Sequence, residues 1–320
     1  MAAPRYSIII PVYNRPQELE ELLQSLTLQE FKDFEVLIVE DGSSLTSERV
    51  FEKYSSQLAI TYFFKPNSGP GPSRNYGFQR ANGQFFIVFD SDCLIPPQYL
   101  KEVELFIGQN KTDAFGGPDR GHENFTPLQQ AMAYTMSATL TTGGIRGGSA
   151  ANFQPRSFNM GLSREAFQKT GGFRFDRFAE DIELSLRMKE LGLRVHLIPN
   201  AYVFHKRRTT LKQFYHQVSN FGKGRVLVGR MHRGAIKITH WVPALFTLGL
   251  LGMIPLAIFS PSLGLLLLGS YAVYLAAIGI MATVQTKSLK VGLLSIPSAF
   301  IQLTGYGIGF LKEKATFITS

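Results

Sequence analysis

The sequence has a single cysteine, Cys93, and a single tryptophan, Trp241. One cysteine excludes an intramolecular disulfide and fits a reducing compartment. Acid is missing from most of the second part: residues 191–320 hold one acidic residue, Glu313, beside 14 Lys or Arg, a net charge of +13. Residues 1–190 hold 23 acidic and 19 basic residues, net −4, so the overall +9 belongs to the second part. No secretory signal is expected either, because the opening Met1-Ala-Ala-Pro-Arg-Tyr6 leads into only about six apolar residues, too few for a signal's apolar core. The N-terminal part is therefore expected in the cytosol. Neither an internal repeat nor a low-complexity tract is present.

What the second part does contain is long uncharged runs. Trp241–Phe259, Leu263–Val284 and Val291–Leu311 have no Asp, Glu, Lys or Arg, and each is about long enough to cross a ~30 Å hydrocarbon core as a helix. They predict a membrane anchor of two or three helices over 241–320. The break at Ser260-Pro261-Ser262 makes the first two a tight hairpin, and Pro297 and several glycines weaken the third. His205–Lys237 carries nine Lys or Arg and no acid, which puts the juxtamembrane segment, 226–240, on the cytoplasmic side of an inner membrane. Basic residues that abut membrane spans point to a membrane partner and away from nucleic acid.

Before residue 200 short β-branched runs alternate with helix-period segments, the pattern of an α/β domain with a mostly parallel sheet covered by helices. Ser7–Val12 reads as a strand, Leu19, Leu22, Leu23 and Leu26 as the buried stripe of a helix, and Glu35–Val39 as the next strand. A right-handed βαβ unit therefore opens the chain. Ile60–Phe64 and Phe85–Phe89 are further strands, and Ala201–Phe204 is a last one, closed by His205.

Phe85–Phe89 runs into Asp90-Ser91-Asp92. A strand apolar on both faces has no use for two carboxylates unless they emerge at its end, and period-two alternation aims Asp90 and Asp92 to one side. Oxygen ligands of this kind suit Mg²⁺ or Mn²⁺, which would neutralise a departing diphosphate. Asp-Ser-Asp is equally a composition of turns and helix caps. Asp41-Gly42-Ser43 is open in the same way between a turn and a ligand contact. Arg74 follows a Gly/Pro-rich loop from which a guanidinium could reach a base or a phosphate, or could simply face solvent. Glu180-Asp181 opens a helix, where acids belong for dipole reasons alone. Cys93 reads as a small buried filler.

Taken together, Ile8-Ile9-Ile10-Pro11-Val12-Tyr13-Asn14, Val39-Glu40-Asp41-Gly42-Ser43, Gly71-Pro72-Ser73-Arg74-Asn75-Tyr76-Gly77, Asp90-Ser91-Asp92 and Gly171-Gly172-Phe173 followed by Glu180-Asp181 resemble the family 2 glycosyltransferases of GT-A fold. The resemblance covers roughly residues 5–225, and the motif order is more specific than any one motif. It implies a nucleotide-sugar-binding catalytic domain, 1–225, in which Pro11, Tyr13 and Asp41 hold the base, Arg74 and Asp90 bind the rest of the nucleotide, and Asp92 and His205 hold Mn²⁺ or Mg²⁺. It makes Asp181 the general base and gives Glu180 a positioning or acceptor role. A carboxylate suits the N–H of uracil or guanine, with a UDP-sugar favoured. The Gln-x-x-Arg-Trp element of processive synthases is missing, and Asn220-Phe221-Gly222-Lys223-Gly224-Arg225 stands in its place. Transfer of one sugar is expected.

The function expected is inverting transfer to a hydroxyl of a lipid-linked glycan acceptor in envelope or exopolysaccharide biosynthesis. Two rivals differ in what they ask of Asp181: a polyprenyl-phosphate sugar synthase, whose acceptor is already an anion, and a catalytically silent nucleotide-binding scaffold. Glu123–Thr142, with Leu128, Ala131, Met132, Thr135, Met136 and Thr139 on one face, reads as core or as an acceptor-side helix, followed by a glycine-rich loop at 143–148.

Overall fold

Two clusters of apolar side chains, one on each side of a single sheet, organise the N-terminal part of the computed structural model, which describes residues 3–121, 125–142, 153–206 and 208–319. Glu123, the glycine-rich stretch 143–148 and Arg207 lie outside the described residues. In chain order the elements are β1 Tyr6–Val12, α1 Pro16–Thr27, β2 Phe34–Asp41, α2 Glu48–Tyr54, β3 Ile60–Lys65, α3 Pro70–Phe78, β4 Phe85–Val88, β5 Cys93–Leu94, α4 Tyr99–Gln109, β6 Ala114–Gly116 and β7 Asp119–Arg120. After these come α5 Pro127–Ser137, α6 Thr139–Thr142, β8 Met160–Ser163, α7 Arg164–Thr170, α8 Glu180–Glu190, β9 Val195–Leu197 and β10 Val203–His205. The chain ends in α9 Leu211–Met231, α10 Val242–Phe259, α11 Pro261–Thr286 and α12 Leu289–Thr319. Two compact units result: Met1–His122 with Ser149–Lys206, and Glu123–Gly148 with Arg207–Ser320.

The first unit holds a seven-stranded sheet of order β3-β2-β1-β4-β8-β6-β9. β1, β2, β3 and β4 are mutually parallel, as are β6 and β9, while β8 runs antiparallel to both β4 and β6. Period-two alternation explains the layers. Ile8 and Ile10 of β1 pack with α1 residues Leu19, Leu22 and Leu26 on one face, and Ile9 packs with Phe78, Leu184 and Met188 of α3 and α8 on the other. Burying both faces explains why these strands read as continuous apolar runs. A small sheet of order β5-β10-β7 lies beside it, with His205 of β10 paired antiparallel to Cys93 of β5.

Two expectations about strands change. β4 stops at Val88, and Cys93 N–H donates to the Asp90 carbonyl at 3.1 Å, so Asp90 and Asp92 belong to a turn and alternation along a strand does not aim them. β10 starts two residues later than expected and includes His205.

In the second unit, the helix expected over 123–142 is two helices, α5 and α6, with Ala138 extended between them. Thr126 starts α5 with a reciprocal cap to Gln129. Its apolar stripe ends at Met136 and is core: Met132 and Met136 pack with Phe214 and Val218 of α9, and Thr139 is exposed. Among the described residues three helices are long and apolar enough to cross a membrane, Ile238–Phe259, Pro261–Thr286 and Leu289–Thr316, as in a multi-pass membrane protein. α12 runs unbroken through Pro297. It is also half buried, against 17% for each of the other two spans, so its neighbours rather than lipid hold it. Glycines allow this. A Cβ on Gly222 would stand 2.2 Å from the Tyr306 carbonyl, and one on Gly309 2.1 Å from the Ser219 carbonyl, so α9 and α12 meet backbone to backbone.

Candidate functional site

The C-terminal ends of β1, β2 and β4 carry the polar residues, where open α/β sheets bind their ligands. β1 ends at Val12, and the next residues are tied to the end of β2. Asn14 takes a left-handed conformation (φ 54°), its N–H donates to Ser43 Oγ at 2.7 Å, and its side-chain oxygen accepts from Leu45 N–H at 2.9 Å. Ser43 in turn donates to the fully buried Glu40 carboxylate. The tie fixes the backbone on both sides of Tyr13, whose ring is half exposed, and of Arg15. Pro11 lies in register with Val39 at the strand end.

Asp41 ends β2 and is buried. One oxygen accepts from Lys65 Nζ and from Ser68 N–H at 2.9 Å, the other from Gly69 N–H at 2.8 Å and Asn67 Nδ2 at 3.3 Å. Burial alone would raise its pKa, but the Lys65 ammonium and the two N–H donors outweigh it and hold the carboxyl below its ordinary range. Its four acceptor positions are filled by the loop it organises. A base N–H could bind Asp41 only by displacing one of these donors.

That loop leads into α3 and Arg74, which is buried and not the surface residue that its composition allowed. Arg74 donates from Nη2 to Asp90 Oδ1 and from Nη1 to Glu180 Oε1, each at 2.7 Å, and its guanidinium carbon lies 5.2 Å from the Phe173 ring centroid. The next residue explains why two distant motifs occur together. Asn75 accepts from Phe173 N–H and donates to the Phe173 carbonyl, both at 2.8 Å. Gly172, at φ 80°, leaves room for it: a Cβ there would meet Asn75 Oδ1 at 2.2 Å.

Asp92 faces elsewhere. Its Oδ1 is 3.1 Å from His205 Nε2 and its Oδ2 accepts from Arg15 Nη1 at 2.6 Å. The pairing of β5 with β10 brings His205 there, and stacking on Phe158, with centroids 4.7 Å apart and planes at 22°, orients the ring. Asp92, Cys93 and His205 offer three ligand atoms within 4.8 Å of one another. Two ligand atoms at right angles, each about 2.1 Å from one octahedral ion, stand about 3.0 Å apart. The carboxylate and imidazole therefore fit adjacent positions on one divalent ion. Cys93 suits such an ion poorly: burial pushes its thiol up, the Asp92 and Asp90 carboxylates push it further, and Sγ faces the Phe158 carbonyl at 3.6 Å.

Glu180 and Asp181 open α8 after Ala179, which takes a left-handed conformation (φ 56°) as its N-cap. Their settings differ. Glu180 is buried against Arg74; burial raises its pKa, Arg74 opposes, and the charge of Asp181 adds to the rise. Asp181 is more open, with its side chain 16% exposed. Its Oδ1 accepts from Ile182 N–H at 2.8 Å, while Oδ2 faces Ser157 N–H at 3.4 Å and Arg156 Nη1 at 3.6 Å.

Arg15, Asn75 and Arg156 were not singled out as functional from the sequence. Asn75 stands inside one of the motifs and Arg15 directly follows another, and only the fold shows what each touches. Arg156 has no motif to mark it.

A GT-A-like sheet with Asp90 and Asp92 after β4, and with the Glu180-Asp181 pair at the start of α8 tied to Asp90 through Arg74, is the arrangement of a transferase of nucleotide-linked groups. Residues 7–171, more than half of the chain, match the model of "Glycosyl transferase family 2", and the chain belongs to that family of enzymes. Among curated relatives, the poly(ribitol-phosphate) β-N-acetylglucosaminyltransferase TarS of Staphylococcus aureus is 34% identical over 153 residues, 42% of this chain and 27% of that protein. An uncharacterized glycosyltransferase of Rickettsia felis is 37% identical over 101 residues, 32% of this chain and 16% of that protein. The chain thus matches about a quarter or less of the length of these relatives. Of solved structures, the mannosyltransferase PcManGT of Pyrobaculum calidifontis, in complex with GDP-Man and Mn²⁺, superposes with a TM-score of 0.66 at 18% identity, covering 95% of this chain and 88% of that one. S. aureus TarS 1–349 superposes with a TM-score of 0.52 at 21% identity, covering 98% and 92%.

Proposed function

We propose that the protein is an inverting, metal-dependent glycosyltransferase that moves one sugar from a nucleotide-sugar to a hydroxyl of a lipid-linked glycan in envelope or wall-polymer biosynthesis. The observation that carries the reading is the 3.1 Å approach of Asp92 Oδ1 to His205 Nε2, in the same unit as the Arg74-clasped Asp90 and the more open Asp181. Residues 1–225 would form the catalytic part, 226–240 a basic juxtamembrane segment and 241–320 the anchor. The basic excess before the first span favours a cytoplasmic catalytic part. A UDP-sugar is the favoured donor, supported by TarS, which has been solved with UDP-GlcNAc; PcManGT, solved with GDP-Man and Mn²⁺, keeps GDP-sugars in the test.

Pro11 and Tyr13 would flank the base and Asp41 would shape its loop. Asp92 and His205 would hold Mn²⁺ or Mg²⁺, which supplies charge to stabilise the leaving diphosphate. Asp90, fixed by Arg74, would reach the ribose and the ion. Asp181 takes the proton from the acceptor hydroxyl as its oxygen attacks the anomeric carbon from the face opposite the leaving group, with inversion. Glu180 keeps Arg74 and Asp181 in place. Arg156 beside Asp181 is the observation in favour of the second reading, an anionic acceptor such as a polyprenyl phosphate.

The test is turnover by purified protein of a panel of UDP-, GDP- and dTDP-sugars with Mn²⁺, with lipid extract as acceptor. No turnover and no nucleotide binding across the panel would reject the reading.

A further inference from the structure

Arg15 is bound to the metal-facing carboxylate and is held there from both sides. The ties from Asn14 to Ser43, Ser44 and Leu45 set the backbone before it. Pro16, the first residue of α1, restricts the backbone of Arg15 itself. With these constraints its guanidinium meets Asp92 Oδ2 at 2.6 Å, a carboxylate 77 residues away, while a third of its own side chain stays open to solvent. The Asp92 side chain is only 7% exposed. A nearly dry carboxylate beside a histidine needs a compensating charge, and Arg15 supplies one. A cation placed on Oδ1 would therefore share its ligand with a fixed positive charge on Oδ2. The two compete until an anion arrives that can accept from the guanidinium.

We propose that Arg15 is a resident counter-ion that lowers the affinity of Asp92 and His205 for a divalent cation until the donor diphosphate draws its guanidinium away, so that it couples metal binding to nucleotide binding. The proposal rests on the metal and nucleotide reading of the site. By linkage, whatever the diphosphate gives to the cation, the cation gives to the diphosphate. Arg is suited to the exchange, because its planar fork fits a carboxylate and a phosphate alike.

The test measures binding in full-length protein in detergent. Mn²⁺ alone is titrated by electron paramagnetic resonance, and UDP, GDP and uridine are titrated by calorimetry in chelator. In Arg15→Gln, Mn²⁺ alone should bind about tenfold tighter or more, and metal-free diphosphate nucleotide about tenfold weaker, with uridine unchanged. Arg15→Lys keeps the charge and should leave Mn²⁺ affinity near the wild type. If Arg15→Gln strands Asp92 and does not fold, the charge-neutral pair carries the test. Asp92→Asn should tighten metal-free UDP by freeing Arg15, and adding Arg15→Gln should remove that gain. Mn²⁺ affinity unchanged or weakened in Arg15→Gln, or a gain in Asp92→Asn that survives loss of Arg15, overturns the proposal. A wild type that binds neither Mn²⁺ nor nucleotide overturns the reading of the site as well; one that binds both, identically in the variant, overturns only the role of Arg15.

Discussion

Asp90 and Asp92 are two residues apart yet belong to different charge networks: Asp90 is clasped by Arg74 together with Glu180, and Asp92 is held between Arg15 and His205. The turn that separates them divides the work of the site. One carboxylate is fixed to the helix that carries the proposed base, and the other faces the proposed metal position.

The division makes Asp92 the carboxylate whose loss is felt in metal binding. Asp92→Ala should weaken Mn²⁺-dependent donor binding by about 10²-fold or more, since even partners of metal ligands are worth 10–100-fold. The fold should survive, because Asp92 lies in a turn outside the main sheet. Calorimetry with and without chelator checks this, and equal affinities in the two conditions would count against it.

Gly172 should tolerate no side chain. At φ 80° an Ala is strained, and its Cβ would meet Asn75 Oδ1 at 2.2 Å, so the two hydrogen bonds to Phe173 and the placement of the neighbouring Arg74 are at risk. Gly172→Ala should cost about 1–3 kcal/mol and lower donor affinity, measured by denaturant unfolding and calorimetry. Gly171, with open space around its Cβ position, shares the strain but not the clash and should cost less.

Asp41 predicts an acid-sensitive step. Its carboxyl is held below the ordinary value of 3.8, so the folded state keeps the charge where the unfolded chain has taken up a proton. The stabilisation is complete above 3.8 and is lost as pH falls through the lowered folded-state value. Thermal midpoints taken in steps down through 3.8 should fall more steeply in the wild type than in Asp41→Asn. Parallel slopes would show that Asp41 contributes nothing to acid unfolding.

Much of this was legible in the sequence. Ile8 to Val12, the leucines of α1 and the uncharged C-terminal runs announce their elements because burial on two faces, on one stripe or in lipid each leaves its own period. The site was legible as motifs but not as contacts. Nothing local in Asn14-Arg15-Pro16 says that Arg15 reaches Asp92, and the fate of Asp90 and Asp92 depends on β4 stopping at Val88. Pro297 misled for a related reason. A proline weakens an isolated helix, but α12 is half buried among its neighbours, and packing overrides the local penalty.

That packing bears on where the chain can be cut. Truncation before Trp241 removes α12 from α9 and uncovers the face of α9 that includes Gly222 and its Tyr306 contact. A fragment ending at residue 240 should therefore need detergent, although every motif precedes the cut. Sedimentation without detergent checks this, and a monodisperse soluble fragment would show that α9 stands without its partner.

Asp181 distinguishes the proposed function from its rivals. A hydroxyl is a poor nucleophile until a base takes its proton, and such catalysis contributes about 10²–10⁴-fold. In Asp181→Asn the side-chain oxygen can still accept from Ile182 N–H, the bond that seats the residue at the start of α8, but the side chain no longer takes a proton. Turnover should fall by that factor, about 3–5 kcal/mol in barrier, while donor affinity and thermal stability barely move. An acceptor phosphate is already an anion, so a polyprenyl-phosphate synthase would keep its rate in Asp181→Asn and lose it in Arg156→Gln, which removes the cation 3.6 Å from Asp181. A silent scaffold would show no turnover in any variant. The measurement is single-turnover transfer at saturating donor with lipid-extract acceptor. A wild-type rate in Asp181→Asn with a depressed one in Arg156→Gln would replace the hydroxyl acceptor by a phosphate.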